Sequence, residues 1–221
     1  MPPETKPSVL FVYYSYTNQT KRVLDAMAGV LQEKGCDVTF ALIEFTDPRY
    51  QQRFKEFPMP KPFREVISMI PSELRDKPVE IGIPGAVTER EYDLVVVGAP
   101  TWWLSTDAPM RTFMESDAAA KALKGKAFTG VVCCRRYWKH NLKTVKRKGV
   151  KLGGNYSEGI HFRYQGGQVR SLFSLISYLG TGENREKFHG VKIPPTNIQE
   201  YHLKEARTFA EGLATQLSSK S

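Results

Sequence analysis

Cysteine is scarce in this sequence, and long apolar runs are missing. The three cysteines among 221 residues, Cys36, Cys133 and Cys134, have no metal-ligand spacing. Adjacent cysteines rarely bridge each other, so we expect free thiols in a reducing cytoplasm and no metal site. The longest apolar runs have about six residues, whereas a membrane-spanning helix needs ~20. The first seven residues have no apolar core, so we expect neither a secretory signal nor a transmembrane segment.

Acidic residues are absent from one long stretch of a chain that is basic as a whole. The sequence has 32 Lys and Arg against 23 Asp and Glu, a formal net charge of +9 at pH 7. Residues 121–151 contain eleven Lys or Arg and no Asp or Glu. Such a stretch suits an acidic partner, an anionic surface or a phosphorylated ligand, or it is simply a solvated helix face. Hydrophobic residues at 41% and charged residues at 25% exclude a disordered, collagen-like or coiled-coil chain.

Apolar runs and amphipathic segments alternate along the chain. The predicted strands cover residues 9–14, 38–43, 93–98, 128–133 and 156–162. The predicted helices include one that ends at Gly35 and others at about 108–123, 139–148, 169–179 and 199–217. This alternation predicts an α/β domain whose parallel sheet is covered by helices on both faces. We expect one domain over residues 7–217, with frayed tails at 1–6 and 218–221.

Two long segments interrupt the minimal alternation of strand and helix. The first, about residues 47–85, contains seven prolines, and the second covers about residues 166–198. Excursions of this length inside a compact domain are usually functional or form an interface. Each one is interpreted as a lid over the strand ends, as a dimer contact, or as a covering flap with no role in chemistry.

A run of polar residues follows the first predicted strand. It consists of Ser15, Tyr16, Thr17, Asn18, Gln19 and Thr20. Hydroxyls, amides and the free N–H groups at a helix N-terminus suit a phosphate, although such residues also commonly cap helices. The loop has neither the Gly-x-x-x-x-Gly-Lys-Ser/Thr pattern nor the Gly-x-Gly-x-x-Gly pattern, which argues against a nucleoside triphosphate and against an ordinary dinucleotide cradle.

Two further loops, each after a predicted strand, carry aromatic and cationic side chains. The first contains Pro100, Thr101, Trp102, Trp103 and Leu104, and the second contains Cys134, Arg135, Arg136, Tyr137 and His140. Neighbouring tryptophans point in different directions, so at least one of them should face a pocket and stack on a flat ligand. In a doubly wound sheet, ligands bind at the carboxyl ends of the strands, which is where all three loops lie.

Taken together, the loops resemble those of the flavodoxin-like FMN-binding superfamily. Residues 15–20 fit the pattern Ser/Thr-x-Thr-Gly-x-Thr except at Asn18, which stands in place of glycine. The next loop is similar to that of the flavodoxin-like NAD(P)H:quinone reductases at Pro100, Trp102, Trp103, Ala108, Pro109, Arg111 and Phe113. The resemblance implies a three-layer fold with a doubly wound, five-stranded parallel sheet in the order 2-1-3-4-5, interrupted by the two insertions.

The resemblance also implies FMN as the cofactor and assigns roles to the loops. Residues 15–20 would hold the phosphate. Pro100 to Leu104 would run along the isoalloxazine, with Trp103 stacking on it. Cys134 to Tyr137 would border the flavin, with Arg135 or Arg136 approaching its pyrimidine side. Tyr137 and His140 are the candidate catalytic residues, because some quinone reductases use a Tyr and a His from this loop, at a wider spacing.

The expected activity is hydride transfer from NAD(P)H through FMN to a quinone-like or other planar acceptor. One alternative is a flavodoxin-type one-electron carrier that docks on protein partners. Another is a non-catalytic binding module that uses the basic face. We expect a cytoplasmic protein with a small planar substrate. An acidic partner at 121–151 and a homodimer are further expectations, and nucleic acid is not expected.

Overall fold

The structure, a computed structural model, describes residues 6–71 and 77–219. Its centre is a five-stranded sheet of β1 (Ser8–Tyr13), β2 (Asp37–Leu42), β3 (Leu94–Gly98), β4 (Ala127–Cys134) and β5 (Asn155–Arg163). The strands lie in the order 2-1-3-4-5, and every neighbouring pair is parallel. The predicted sheet and strand order are therefore confirmed. Most of the predicted tails, at 1–5 and 220–221, and part of the first insertion, at 72–76, lie outside the described residues.

Helices connect the strands, and some of them lie within the two insertions. They are α1 (Gln19–Glu33), α2 (Pro48–Arg53), α3 (Pro62–Ser68), α4 (Ala86–Glu89), α5 (Ala108–Phe113), α6 (Asp117–Leu123), α7 (Trp138–Lys151), α8 (Gln168–Thr181) and α9 (Glu200–Ser218). Within the described ranges, no helix combines the length and the apolar character that crossing a bilayer would require.

Both faces of the sheet are buried, as the continuous apolar strands predict. Side chains alternate along a strand, so Val9 and Phe11 point to one face while Leu10 and Val12 point to the other. Helices α1 and α9 cover the first face, and α5, α6 and α7 cover the second. This arrangement leaves the carboxyl ends of the strands as the free edge where loops can form a site.

The helix expected over residues 108–123 is in fact two helices. The side chain of Asp107 caps α5 by accepting a hydrogen bond of 3.0 Å from the backbone N–H of Met110. The hydroxyl of Ser116 caps α6 in the same way, accepting from the N–H of Ala119 at 3.2 Å. A serine that accepts from the third residue after it is a typical helix start, and it divides the predicted helix.

Helix α7 lies very close to the sheet because a glycine faces it. A Cβ added at Gly149 would lie 2.2 Å from the ring of Phe128 on β4, and that ring is fully buried. The strand is irregular between Phe128 and Gly130, where the pairing with β5 shifts. The last part of the basic stretch thus forms a surface helix, α7, that packs closely on the sheet along its inner side.

The two insertions pack against each other. The first contains α2, α3 and the short strand Ile81–Gly82, which pairs antiparallel with Glu44–Phe45 just before the insertion. The second contains α8 and a hairpin of Lys187–Phe188 with Val191–Lys192. The backbone N–H of Met59 donates to the carbonyl of Leu179 at 2.6 Å, and a Cβ at Gly180 would lie 2.7 Å from Pro62. These contacts hold the insertions together above the carboxyl edge of the sheet.

Candidate functional site

An open pocket, whose empty volume of about 1040 Å³ includes adjoining solvent, lies where β1, β3 and β4 end. All three loops that the sequence singles out contribute to its wall. From these loops the lining residues are Ser15, Tyr16, Thr17, Gln19, Thr20, Pro100, Thr101, Trp102, Trp103, Cys134, Arg135 and Arg136. The structure therefore brings twelve of the sixteen predicted site residues to one cavity.

The N-terminus of α1 forms the polar corner of this pocket. Asn18 stands at the start of the helix in the left-handed region, with φ 58°, and its side chain makes no capping hydrogen bond. The first turn of α1 has no acidic residue. Ser15 supplies one capping contact, because its hydroxyl accepts from the N–H of Lys21 at 3.3 Å. A helix N-terminus of this kind presents N–H groups and the positive end of the helix dipole to an anion.

The backbone conformation at Asn18 explains why asparagine can stand where the pattern Ser/Thr-x-Thr-Gly-x-Thr has glycine. The position needs a positive φ, which glycine adopts freely and asparagine tolerates better than most residues. Its side chain is exposed and does not line the pocket. The backbone of this residue thus shapes the corner, whereas its amide group points elsewhere.

Gln19 and Tyr16 tie the polar corner to the rest of the molecule. The side-chain carbonyl of Gln19 accepts from the N–H of Ile198 at 2.9 Å, and its amide group donates to the hydroxyl of Tyr178 at 3.3 Å. The Tyr16 hydroxyl donates to the carbonyl of Glu56 at 2.5 Å, and burial raises the pKa of Tyr16 to about 12. Both side chains therefore have structural partners already.

The two neighbouring tryptophans have different environments. Trp102 belongs to an aromatic cluster, with ring centroids 5.2 Å from Phe54 and 5.5 Å from Tyr14. Trp103 occupies the turn between the short strands Thr101–Trp102 and Ser105–Thr106, where its φ is 52°. Both tryptophans line the pocket. Trp102 packs in the cluster with Tyr14, whereas Trp103 lies at the turn outside it.

A fully buried amide, Asn141 of α7, holds the tryptophan hairpin in place. Its Nδ2 group donates to the carbonyl of Ala99 at 3.1 Å and to the hydroxyl of Thr101 at 2.8 Å. Its Oδ1 accepts from the hydroxyl of Thr106. Sequence reasoning missed this residue, because one asparagine in a basic helix looks like any solvated polar residue.

The third loop brings two arginines to the pocket, and both also contact α8. Arg135 donates to the carbonyl of Gln168 at 2.7 Å and to the hydroxyl of Ser171 at 3.1 Å. Arg136 donates to the side-chain oxygen of Gln168 at 2.8 Å. Burial, and then the neighbouring Arg136, lower the pKa of Arg135 from its usual value. These arginines fasten the second insertion while they add positive charge to the wall.

The two cysteines at the end of β4 are not reactive groups. Both are buried, and burial raises the pKa of Cys133 and of Cys134 to about 12. At neutral pH they stay as thiols, which are weak nucleophiles. They serve as part of the pocket floor.

The charge of the lining is positive. It includes Arg135 and Arg136, and no Asp or Glu occurs among the lining residues within the described ranges. Together with the N–H groups at the start of α1, this donor set fits a ligand that carries a phosphate. It does not fit a metal bound through carboxylates.

Four predicted site residues lie away from the cavity wall. These are Asn18, Leu104, Tyr137 and His140, none of which is among the lining residues. Tyr137 begins α7 in the left-handed region and is 38% exposed, and His140 is exposed on the first turn of that helix. A catalytic role for Tyr137 and His140 stays a prediction.

The pocket also has a roof that the motifs do not indicate. It is apolar and comes from both insertions: Phe54, Met59, Val66 and Met69 from the first, and Leu172, Leu175 and Leu179 from the second. Only the spacing of 172, 175 and 179, one helix face, is a signal in the sequence. Tyr164, next to Cys133 and Cys134, is a further lining residue that sequence reasoning missed.

No protein-family model matches the sequence, and no curated protein is similar to it. Solved structures are similar in fold. A flavodoxin from the domain Archaea superposes with a TM-score of 0.52 at 14% identity, covering 96% of this chain and 99% of that chain. Oxidised flavodoxin 1 from Bacillus cereus gives 0.52 at 13%, covering 94% and 97%.

A larger protein contains the same fold as one part. The flavodiiron protein from Giardia intestinalis superposes with a TM-score of 0.55 at 11% identity, covering 97% of this chain but 37% of that one. At such identities the likeness concerns the fold alone.

Proposed function

We propose that this chain, which has the flavodoxin-like fold, binds FMN and uses it as an oxidoreductase. The observation that carries the proposal is the composition of one pocket. The N-terminus of α1, a tryptophan at a hairpin tip and two arginines meet there without a carboxylate in the lining. An anionic phosphate and a flat aromatic ring are the two parts of FMN that such a site recognises.

Different residues would hold the two parts of the cofactor. The hydroxyls of Ser15, Thr17 and Thr20, with the N–H groups of the first turn of α1, would bind the phosphate. Trp103 would lie against the ring system. Arg135 would approach the pyrimidine side and stabilise negative charge there, because a cation in a water-poor site acts strongly on developing charge.

When bound, FMN supplies the redox chemistry: a hydride from NAD(P)H and one proton reach the acceptor as two electrons and two protons. The chain itself contributes binding, orientation and charge. The lining thiols take no part, because burial keeps them protonated. The nicotinamide and the acceptor would use this one cavity and would therefore bind in turn.

A one-electron carrier is the second candidate. Structures named as flavodoxins match almost the whole of this chain, which favours it. The net charge of +9 and the wide apolar roof favour a small-molecule substrate instead. A non-catalytic binding module ranks third, since it would not require this pocket.

Titration with FMN tests the proposal directly. The purified protein should take up one FMN per chain, quench its fluorescence, and release FMN rather than FAD on denaturation. Thr17→Ala combined with Ser15→Ala should weaken FMN about tenfold or more, because hydrogen bonds to a charged group contribute ~1.5–3 kcal/mol each. Ser219→Ala combined with Thr215→Ala, both at exposed positions outside the lining, is the control. Failure to bind FMN would remove both redox candidates.

Anaerobic mixing with NADH or NADPH separates enzyme from carrier. The enzyme predicts direct bleaching of the flavin absorption by a nicotinamide, followed by its return when a quinone is added. Reduction only by dithionite, in two separate one-electron steps, would favour the carrier.

A further inference from the structure

The roof of the pocket differs in chemistry from its floor and edge. Seven of the lining residues come from the two insertions, and all are apolar. The charged groups of the lining, Arg135 and Arg136, face the start of α8 through Gln168. The cavity therefore has a polar corner at α1 and an uncharged side opposite the strand ends.

The apolar side is a built surface and does not collapse into the cavity. Met59 and Leu179 are joined by a backbone hydrogen bond, and Pro62 rests against Gly180. The rings of Phe57 and Tyr178 lie 5.3 Å apart. The insertions thus support each other, so the space beneath them stays open.

Leu172, Leu175 and Val66 are only half buried although they line a concave wall. When a ligand covers apolar side chains that are exposed to water in a cavity, the free energy of the system falls and binding is favoured. Met59 and Met69 are buried behind this surface, and their flexible thioether side chains fit irregular ligands.

We propose that this roof binds the hydrocarbon substituent of a flat, uncharged ligand whose ring lies over the floor of the pocket. The inference rests on the proposed function only in naming that ligand as the electron acceptor. Binding itself needs no electron transfer. The acceptor class is therefore an apolar, alkyl-substituted ring compound rather than a polar or anionic one.

A series of alkyl chain lengths tests the proposal. Isothermal titration of the full-length, oxidised protein, first loaded with FMN and without any reductant, would use 1,4-naphthoquinones with 2-methyl, 2-propyl and 2-pentyl groups. Each buried methylene tightens binding about three- to fourfold, so Kd should fall about a hundredfold from methyl to pentyl. Equal Kd values along the series would overturn the proposal.

Polar substitutions in the roof should remove this dependence on length. Leu175→Gln on α8 and Val66→Asn on α3 should each flatten the series while the Kd for FMN stays unchanged. The matched control is Val169→Gln, on the same helix as Leu175 but 63% exposed and outside the lining. Flattening by Val169→Gln to the same degree would contradict a role for the roof.

The two proposals fail in different ways. A chain that takes up no FMN is titrated with the same series without it, and an alkyl dependence there refutes the proposed function and supports the apolar site. Tight FMN binding with no alkyl dependence does the reverse.

Discussion

The single buried side chain of Asn141 holds the tryptophan hairpin near the site in place. Its amide makes hydrogen bonds to Ala99, Thr101 and Thr106, and each of these belongs to the tryptophan hairpin or its base. Removing the amide leaves the buried carbonyl of Ala99 and the buried hydroxyl of Thr106 without this hydrogen-bond partner. The residue therefore acts on Trp103 through the backbone of the hairpin, as a positioning residue.

Asn141→Leu should lower the free energy of unfolding by ~2–4 kcal/mol, because each buried polar group left without a partner costs ~1–3 kcal/mol. It should also weaken FMN binding. Urea unfolding and FMN titration measure the two effects. Asn155→Ala is the control, since the Asn155 amide also donates to a backbone carbonyl, at 3.1 Å, but is exposed. Equal losses from both variants would contradict the positioning role.

His202 makes the stability of α9 dependent on pH. It is buried, and its Nδ1 accepts a hydrogen bond of 3.1 Å from the N–H of Gln199 at the helix start. Burial lowers the pKa of His202 below its usual 6.5. Because the folded pKa is lowered, the contribution is complete above pH 6.5 and is lost as the pH falls through the folded pKa.

Between pH 7 and pH 5.5, the wild-type Tm should therefore fall more than that of His202→Gln. The expected difference is about 2–4 °C, since a helix cap contributes ~1 kcal/mol in a domain of this size. Differential scanning calorimetry at the two pH values measures it. An identical fall in both proteins would show that other groups dominate.

At the scale of elements, the close contact of α7 with the sheet limits the size of the side chain at position 149. Gly149→Ala places a methyl group against the buried Phe128 ring, and overpacking of a core typically costs ~1–3 kcal/mol. Gly29→Ala in α1 is the matched control, because nothing lies within 4 Å of its added Cβ. There alanine should stabilise by ~0.5–1 kcal/mol through helix propensity. Urea unfolding should give changes of opposite sign; stabilisation by both would mean that α7 can move away from the sheet.

The elements differ in how much of them the sequence reveals. The strands that contain Val9–Tyr13 and Leu94–Gly98 are continuous apolar runs, so their positions and double-sided burial follow from the pattern. The order of the strands in the sheet does not follow from the pattern, because any apolar run can pair with any other. The resemblance of the loops to the flavodoxin-like superfamily implies that order. The division of the predicted helix at Ser116 has a local cause, a capping serine, that helical periodicity alone conceals.

The site also has parts that the sequence predicts and parts that it does not. Its floor and edge were predictable because loops after parallel strands meet at one edge of the sheet. The roof was not, because Met59 and Leu179 contact each other across a long separation and no periodicity links the two insertions. The same holds for Asn141, whose partners are all distant in sequence.

At the scale of the whole molecule, the positive charge is gathered on one side of α7. Lys143, Lys146 and Arg147 are exposed there, whereas Lys148 pairs with Glu115 at 2.5 Å and Lys126 pairs with Glu91 at 2.6 Å. Lys146 lies over the ring of Tyr156 on β5, 5.0 Å from its centroid, and none of the three cations lines the pocket. A docking face for an acidic partner at this helix stays a prediction.

Lys143→Glu with Arg147→Glu should lower the salt concentration that elutes the protein from a sulfonate resin at pH 7. The control Lys34→Glu with Lys204→Glu changes the net charge equally at exposed positions elsewhere. The α7 pair should have the larger effect, because a cluster of charges within a Debye length of ~10 Å acts together. Equal shifts would mean that only net charge matters.

The mutual support of the two insertions has a consequence for how this protein can diverge. The contacts of Met59 with Leu179 and of Pro62 with Gly180 involve no strand of the sheet. Natural variation in the roof can therefore change the size of the apolar space one side chain at a time, while the strand-end loops keep their geometry. Selection for a new ligand and selection for retention of the polar corner act on separate stretches of the chain, so a lineage can alter one without rebuilding the other.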